Sequence, residues 1–352
     1  MPKPIRVLVV DDSAFVRKVV TQMLSRSPSI EVVGTARDGE EALALAERHQ
    51  PDVITLDLVM PRMNGVEFLR AQGRGRGSRR PVPVVICSIA HESGAMALEA
   101  FEAGAVEFVQ KPTALATDRV YEIADELIAK VEAAAQATIG RAPVASPADV
   151  MATSTVKAPA GPRRTDVVVL GISTGGPQAL RQLIPRLPAD FPVPIAMVLH
   201  MPVGYTQMYA ERLNDISRLE VVEARNGDLL RPGVVWLAPA GQHLTFVRGA
   251  DAAVRAHLDL RPLDTPHRPA VDVLFRSAAA IFGPRVLGVV MTGMGSDGLL
   301  GAAHIKAQGG RIATEAESSC VVYGMPRAVV EALLSDRSAT LDEMADAIAE
   351  LI

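Results

Sequence analysis

Residues 166–180, DVVVLGISTGGPQAL, join an apolar, β-branched run to a glycine-rich turn and then to a helix-like segment. The run DVVVL is typical of a buried strand, and QALRQLI, which ends this stretch and continues beyond it, is typical of a helix. Two chemistries use such a strand-to-helix junction. Glycine-rich turns at a helix N-terminus bind phosphates, and sharp turns of the same kind expose a nucleophilic serine. The question is which of the two Ser173 serves.

The turn lacks the residues of both common phosphate-binding motifs. A P-loop requires a lysine after its last glycine, and no lysine follows Gly175 and Gly176. The dinucleotide fingerprint G-x-G-x-x-G is also missing at this turn. The sequence does match G-x-S-x-G from Gly171 to Gly175, which places Ser173 at the positive end of a helix. This motif alone leaves two interpretations open, a catalytic nucleophile or a helix N-cap.

A nucleophilic serine requires a base and an acid, and both can be found at other strand ends. The strand-like segment PIAMVLH ends in His200, and VLGVVMT runs into GMGSDG, which contains Asp297. His267, in DTPHRPAVD, is the one serious alternative base. Because residues at the carboxyl ends of parallel strands can converge, we predict that Ser173, His200 and Asp297 form a catalytic triad.

The loop Gly293–Gly298 satisfies G-x-G-x-x-G literally, and Glu315 and Glu317 lie about where a ribose-binding acid would be. We nevertheless do not predict dinucleotide binding. Asp297 would place a negative charge in a loop that must receive a pyrophosphate, and the motif falls late in its domain. The order serine, histidine, aspartate also differs from that of the α/β-hydrolases, in which the acid precedes the histidine.

The first 130 residues alternate strand-like and helix-like segments, beginning with the strand IRVLVV and the helix AFVRKVVTQMLSR. This alternation predicts a doubly wound parallel sheet, which binds its ligands beyond the carboxyl ends of the strands. Carboxylates that cluster there repel one another, and a hard cation such as Mg²⁺ offsets the repulsion. A lysine and a hydroxyl beside them can hold phosphoryl oxygens. The polar residues at these ends are Asp11, Asp12, Asp57, Ser88 and Lys111.

Composition divides the chain into two α/β domains and a linker. Residues 131–164 are rich in alanine, proline and serine and have few large apolar side chains, so we predict a flexible linker with a helical start. The predicted domains are therefore residues 1–130 and 165–352, both built on mostly parallel, doubly wound sheets.

The composition of the whole chain restricts the function classes. A net charge of −4 over 352 residues argues against nucleic acid as the main partner. No apolar run approaches the roughly 18 residues that span a membrane, and the N-terminal stretch MPKPIRVLVVDDS is not typical of a signal peptide. We therefore expect a cytoplasmic protein without membrane insertion. Cys87 and Cys320 lie in apolar segments, and we expect them to be buried and reduced.

The motifs VVDDS, LDLVMPRMNG, PVVICS and QKP resemble the response-regulator receiver domain over residues 5 to about 128. The resemblance implies a flavodoxin-like fold, Mg²⁺ as cofactor, a histidine kinase as phosphodonor and a cis peptide bond before Pro112. It also implies the site residues, which are Asp57 as phospho-acceptor, Asp11 and Asp12 as metal ligands with Asp57, Lys111 as a phosphoryl contact, Ser88 as the switch hydroxyl and Phe108 as the aromatic switch.

Six motifs of the second half together resemble the chemotaxis protein-glutamate methylesterase, or CheB, family over about residues 166–350. They are GISTGGP, VLHMP, APAGQHL, HRPAVDVLFRSAA, VVMTGMGSDG and VVYGMPRAV. The resemblance implies a Rossmann-like domain with a β-hairpin insertion. It also implies that Ser173 attacks glutamate methyl esters on chemoreceptors, that His200 is the base, and that Asp297 orients it. The N–H of Met294 would be the oxyanion donor, with Thr174 beside it.

The same resemblance implies glutamine deamidation at this site and no cofactor for the ester chemistry. It further implies that the unphosphorylated receiver covers the esterase site until Asp57 is phosphorylated. Two alternatives remain open, a hydrolase of this fold with a substrate other than chemoreceptors, and a degenerate module that serves as a phosphate sink or docking unit. His267 and Arg268 fall in one of the motifs and have no assigned role.

Overall fold

The chain divides into two compact units, Met1–Arg141 and Ala142–Ile352. The structure is a computed structural model, and it describes residues 3–73, 81–88, 94–111, 117–137 and 165–352. Within these ranges, the predicted α/β class is confirmed for both units. Each unit contains its own sheet, and both sheets are entirely parallel.

The first unit is a five-stranded sheet in the order β2-β1-β3-β4-β5. Its strands are β1 (Ile5–Val10), β2 (Ile30–Ala36), β3 (Val53–Leu56), β4 (Val84–Ser88) and β5 (Glu107–Gln110). Its helices are α1 (Ala14–Leu24), α2 (Gly39–His49), α3 (Gly65–Gly73), α4 (Gly94–Glu102) and α5 (Thr117–Ala135). Side-chain caps begin two of them, since Ser13 accepts from Val16 N at α1 and Asp38 accepts from Glu41 N at α2.

The second unit is a seven-stranded sheet in the order β14-β13-β12-β6-β7-β9-β8. Its strands are β6 (Val167–Ile172), β7 (Ile195–Leu199), β8 (Glu220–Glu223), β9 (Val234–Leu237), β12 (Val286–Val290), β13 (Arg311–Glu315) and β14 (Arg337–Ala339). The predicted hairpin is also present, as the antiparallel pair β10 (His243–Arg248) and β11 (Val254–Asp259).

Helices cover this second sheet. They are α6 (Gly176–Leu183), α7 (Thr206–Ile216), α8 (Val271–Phe282), α9 (Leu299–Ala307), α10 (Met325–Glu331) and α11 (Met344–Leu351). The central strands β6, β7 and β12 are buried along their whole length. Their continuous apolar sequences follow from this, because a parallel strand with helices on both faces exposes neither side to water.

Several sequence-based expectations can be compared with these elements. Helix α3 was not predicted from the sequence. Helix α5 extends beyond residue 130 to Ala135, as its alanine-rich composition favours. Cys87 and Cys320 are buried and free, as expected. The peptide bond before Pro112 lies outside the described residues, and so does the linker beyond residue 137, so the domain boundaries stay predictions.

None of the helices in the described ranges combines the length and the hydropathy that crossing a bilayer requires.

Gly171 allows α8 to pack directly on the backbone of β6. A Cβ at this position would overlap the two γ-methyl groups of Val271. We therefore expect Gly171→Ala to lower the free energy of unfolding by about 1–3 kcal/mol, the cost of overpacking a dense core. Urea denaturation followed by the fluorescence of Trp236, the single tryptophan, measures this unit alone.

Ala280→Ser is the matched control, because it also adds one heavy atom, but at an exposed position of α8, the helix that packs on Gly171. Its unfolding midpoint should stay close to that of the wild type. A Gly171→Ala protein as stable as this control would contradict the packing argument.

Candidate functional site

Three adjacent strands of the second sheet deliver the predicted catalytic residues to one edge. Ser173 follows β6, His200 follows β7, and Met294 and Asp297 follow β12. The chain leaves β6 toward β7 on one side and returns to β12 on the other side of β6. The strand order therefore reverses between β12 and β6, and this is the position where open parallel sheets form their binding crevice.

His200 and Asp297 form a hydrogen bond. His200 Nε2 lies 2.9 Å from Asp297 Oδ2, and both side chains are largely buried. Asp297 also accepts hydrogen bonds from the first two backbone N–H groups of α8, at 2.8 Å from Val271 and 2.9 Å from Asp272. Asp297 thus caps a helix and holds a histidine with the same carboxylate.

The electrostatics of this pair favour an ionised acid. Burial alone would raise the pKa of Asp297, but the hydrogen bonds from His200 and from the N-terminus of α8 hold it below its ordinary value. An ionised carboxylate only accepts hydrogen bonds, so His200 Nε2 must carry the proton between them. In the neutral imidazole the other nitrogen, Nδ1, is then the one that can accept a proton.

A buried network joins the turn of Ser173 to the loop after β12. Ser173 N donates to Thr292 O at 3.0 Å, and Thr292 Oγ1 donates to Thr174 O at 2.9 Å. The same hydroxyl accepts from Val322 N at 3.0 Å. Glu315 completes the network, because its carboxylate accepts from Thr292 N at 2.9 Å. Neither Thr292 nor this role of Glu315 was predicted from the sequence.

Glu315 is fully buried, and burial raises its pKa. Its two carboxylate oxygens are engaged by Thr292 N and by the hydroxyl of Ser319. The glutamate that lies where a ribose-binding acid would be therefore has internal partners. This agrees with the choice not to predict a dinucleotide site in this loop.

The loop after β12 lies against Ser173, since a Cβ added to Gly293 would lie 2.8 Å from Ser173 Cβ. Ser173 is half-buried and Thr174 is buried. In the part of the chain that the structure describes, the backbone N–H of Met294 donates to no protein acceptor. Within the same residues, the Ser173 hydroxyl forms no hydrogen bond and is therefore not joined to His200, whereas the backbone N–H of His200 donates to the carbonyl of Ile172, the residue before Ser173, at 3.2 Å.

His267, the alternative base, stacks on His200 with ring centroids 4.2 Å apart. His267 is exposed, whereas His200 forms a hydrogen bond with Asp297. The segment that carries His267 is fixed by the buried His243, whose Nδ1 accepts from Ala270 N and whose Nε2 donates to Pro262 O. Burial lowers the pKa of His243, which keeps it neutral and able to make both bonds.

The receiver-like unit has a second cluster at the matching edge of its own sheet. Asp11 and Asp12 follow β1 and Asp57 follows β3, the two strands between which the order of this sheet reverses. One carboxylate oxygen from each of the three lies within 4.8 Å of the others, so together they could hold a metal ion. Burial raises the pKa of Asp11, which a bound cation would counteract.

Lys111 bridges this cluster, with Nζ 2.5 Å from Asp11 Oδ2 and 2.6 Å from Asp57 Oδ2. Burial opposes the charge on Lys111, but Asp57 and Asp11 outweigh it and raise its pKa. The lysine is therefore held as an ammonium beside the predicted phospho-acceptor. Ser88, the last residue of β4, and Phe108, inside the neighbouring strand β5, are both buried.

Comparison with known families gives two matches that divide the chain between them. The family model of CheB methylesterase matches residues 168–348, and that of the response regulator receiver domain matches residues 7–120.

Relatives match nearly the full length. A protein named protein-glutamate methylesterase/protein-glutamine glutaminase 5 from Myxococcus xanthus is 53% identical, covering 97% of this chain and 96% of its own. A protein of the same name, without a number, from Symbiobacterium thermophilum is 45% identical, covering 99% of this chain and 98% of its own. The crystal structure of the Thermotoga maritima CheB methylesterase catalytic domain is 39% identical, with a TM-score of 0.52. The match covers 53% of this chain and 99% of that domain.

The hydroxyl of Thr292 is expected to stabilise the turn of Ser173. Thr292→Val preserves the shape but leaves the buried N–H of Val322 without its acceptor, which costs about 1–3 kcal/mol. Urea denaturation followed by Trp236 fluorescence should show this loss.

Thr245→Val is the control. It removes a threonine hydroxyl that donates to His257 O at a half-buried position, where water can replace the partner. Equal urea-unfolding midpoints for Thr292→Val and Thr245→Val would show that the Thr292 network adds nothing to stability.

Proposed function

Because the chain belongs to the CheB methylesterase family and carries a response regulator receiver domain, we propose that it hydrolyses glutamate methyl esters on chemoreceptors under the control of phosphorylation. The family and the enzyme class predicted from the sequence, a methylesterase fused to a receiver, are confirmed by these matches. The observation that carries the proposal is the hydrogen bond of His200 to an ionised Asp297 beside the turn of Ser173.

In the proposed reaction, Ser173 Oγ attacks the ester carbonyl and its proton passes to His200 Nδ1. Asp297 accepts from Nε2 and stabilises the imidazolium that forms. The negative charge moves to the carbonyl oxygen, toward which the N–H of Met294 donates. The loop geometry supports this role, since the described residues offer that N–H no other acceptor.

Collapse of this tetrahedral intermediate expels the alkoxide, which takes the proton from His200 and leaves as methanol. Water then attacks the acyl-enzyme with His200 again as the base. The serine leaves with that proton, and a glutamate carboxylate is released. A glutamine side chain passes through the same steps with ammonia as the leaving group. None of these steps requires a cofactor.

We further propose that Asp57 is the phospho-acceptor of the receiver and that a histidine kinase is the donor. Receiver domains generally use Mg²⁺ for phosphorylation, and the clustered oxygens of Asp11, Asp12 and Asp57 fit such an ion. A bound Mg²⁺ would offset the charge of these carboxylates and of the incoming phosphoryl group. Lys111, which already contacts Asp57, would hold a phosphoryl oxygen.

Ser88 and Phe108 would then report the modification, as the hydroxyl and the aromatic side chain that respond to the phosphoryl group. Ser88 ends β4, the strand that pairs with β3, and Phe108 lies in β5, one strand further from Asp57; both side chains are buried. The proposed substrate lies on the cytoplasmic helices of chemoreceptors, so the proposal places the protein in the cytoplasm. It includes neither nucleic acid nor membrane insertion.

We expect the full chain to release methanol from methylated chemoreceptor membranes and a small phosphodonor with Mg²⁺ to increase the rate. Ser173→Ala should lower the release by at least about 10³-fold, because the nucleophile is absent. Gas chromatography of released methanol measures both. No release by the intact protein would favour a degenerate module, and release from generic esters alone would favour a different substrate.

A further expectation concerns the ratio of the methanol-release rates with and without phosphodonor. Asp57→Asn should reduce this ratio to about one, because an amide does not accept the phosphoryl group, and chelation of Mg²⁺ should do the same in the wild type. Asp52→Asn, at an exposed aspartate in the same unit, is the control and should keep the wild-type ratio. Full stimulation of Asp57→Asn would contradict control through this residue.

A further inference from the structure

Helix α8 holds Asp297 through its backbone, and it also holds the residues after Asp297 through a side chain. Asp272 Oδ1 accepts from the backbone N–H groups of Gly298, at 2.9 Å, and Gly301, at 2.7 Å. These N–H groups belong to the start of α9, whose N-cap Gly298 has no side chain to bond them. Asp272 therefore caps α9 from the neighbouring helix.

Asp297 and Asp272 form a reciprocal capping pair. Asp297, directly before α9, accepts from the first two amides of α8, and Asp272, in the first turn of α8, accepts from the first turn of α9. Each carboxylate thus fixes the N-terminus of the helix to which the other is attached. The backbone at residues 297–298 cannot turn away from α8 without breaking bonds on both sides.

The packing of α8 extends this restraint to the nucleophile. Val271 occupies the space beside Gly171, two residues before Ser173, and it would lie 3.1 Å from a Cβ on Gly298. A Cβ on Gly301 would lie 2.5 Å from Phe275 Cβ, so α9 lies directly on α8. A shift of the first turn of α8 would therefore move the acid relative to the strand of the serine.

We infer that Asp272 is a positioning residue that acts through Asp297: by capping α9 it keeps the Asp297 carboxylate where it can bind His200 Nε2. The inference rests on the proposed function, since it assigns Asp272 to the same triad. Asp272 forms no described hydrogen bond with His200 or Ser173, whereas its acceptor oxygen binds Gly298, the residue directly after Asp297.

The test compares Asp272→Ala, which removes the acceptor, with Asp272→Asn, which keeps an acceptor oxygen of the same shape without the charge. Asp346→Ala is the matched control, because Asp346 is also an acidic residue in the first turn of a helix, α11, but is exposed. All are made in the full chain, and urea denaturation followed by Trp236 fluorescence reports folding.

Two readouts do not depend on the natural substrate. The first is the rate at which Ser173 is labelled by a fluorophosphonate probe. The second is the proton NMR signal of the His200 Nε2 proton donated to Asp297, assigned by its loss in His200→Gln. Methanol release gives kcat and KM as a separate measurement.

We expect Asp272→Ala to lower the labelling rate and kcat by about 10-fold to 100-fold, since a small displacement of a catalytic group has effects of this size. KM should change by less than about twofold, because the residue does not contact the substrate. The His200 signal should shift or broaden. Asp272→Asn should stay within about threefold of the wild type, because asparagine caps helices nearly as well as aspartate.

A double-mutant cycle separates positioning from a general loss of structure. In an Asp297→Asn background, Asp272→Ala should lower the labelling rate by less than about threefold, because both substitutions affect one interaction. The inference would be overturned if Asp272→Ala lowered the labelling rate equally in the wild-type and the Asp297→Asn backgrounds. It would also be overturned if Asp272→Ala kept the wild-type labelling rate and an unchanged His200 signal. A wild-type protein that shows the His200 signal but releases no methanol would contradict the proposed function instead, and the NMR comparison would still decide the role of Asp272.

Discussion

The hydrogen bonds between the Asp297 carboxylate and the first two amides of α8 are the interaction on which the esterase site depends. They let a largely buried carboxylate stay ionised, because the positive end of the helix supplies what water otherwise would. An ionised Asp297 sets the tautomer of His200, and that tautomer leaves Nδ1 free to accept a proton. In the proposed reaction, the role of His200 as the base thus depends on the cap that Asp297 forms on α8.

Both units obey the same topological constraint. In each sheet the chain winds outward in two directions, and the strands on either side of the reversal are β1 and β3 in one unit and β6 and β12 in the other. Helices cannot cover the sheet edge at this position, so polar strand-end residues meet there. One unit uses the crevice to collect carboxylates, Asp11, Asp12 and Asp57, and the other uses it to bring Ser173 toward His200.

The sequence alone was sufficient for the buried strands β6, β7 and β12 and for the residues that follow them, because buried parallel strands are continuous apolar runs and the polar strand-end residues come directly after them. It could not reveal Thr292, Asp272 or the structural role of Glu315, since their partners are backbone amides of other segments, which have no sequence pattern. Helix α3 was not predicted for a related reason. Its segment is short, and only the structure shows which of its residues are buried and therefore which face of the helix is apolar.

The hydrogen bonds that hold the acid of the histidine–aspartate pair have a consequence for regulation. Four amide hydrogen bonds hold Asp297 and Asp272, and all of them lie within the esterase unit. The predicted acid of the triad is therefore held by residues of the esterase unit alone. In the proposed regulation, a signal from Asp57 does not need to build the histidine–aspartate pair, and phosphorylation would act instead on the access of a receptor helix or on the rotamer of Ser173.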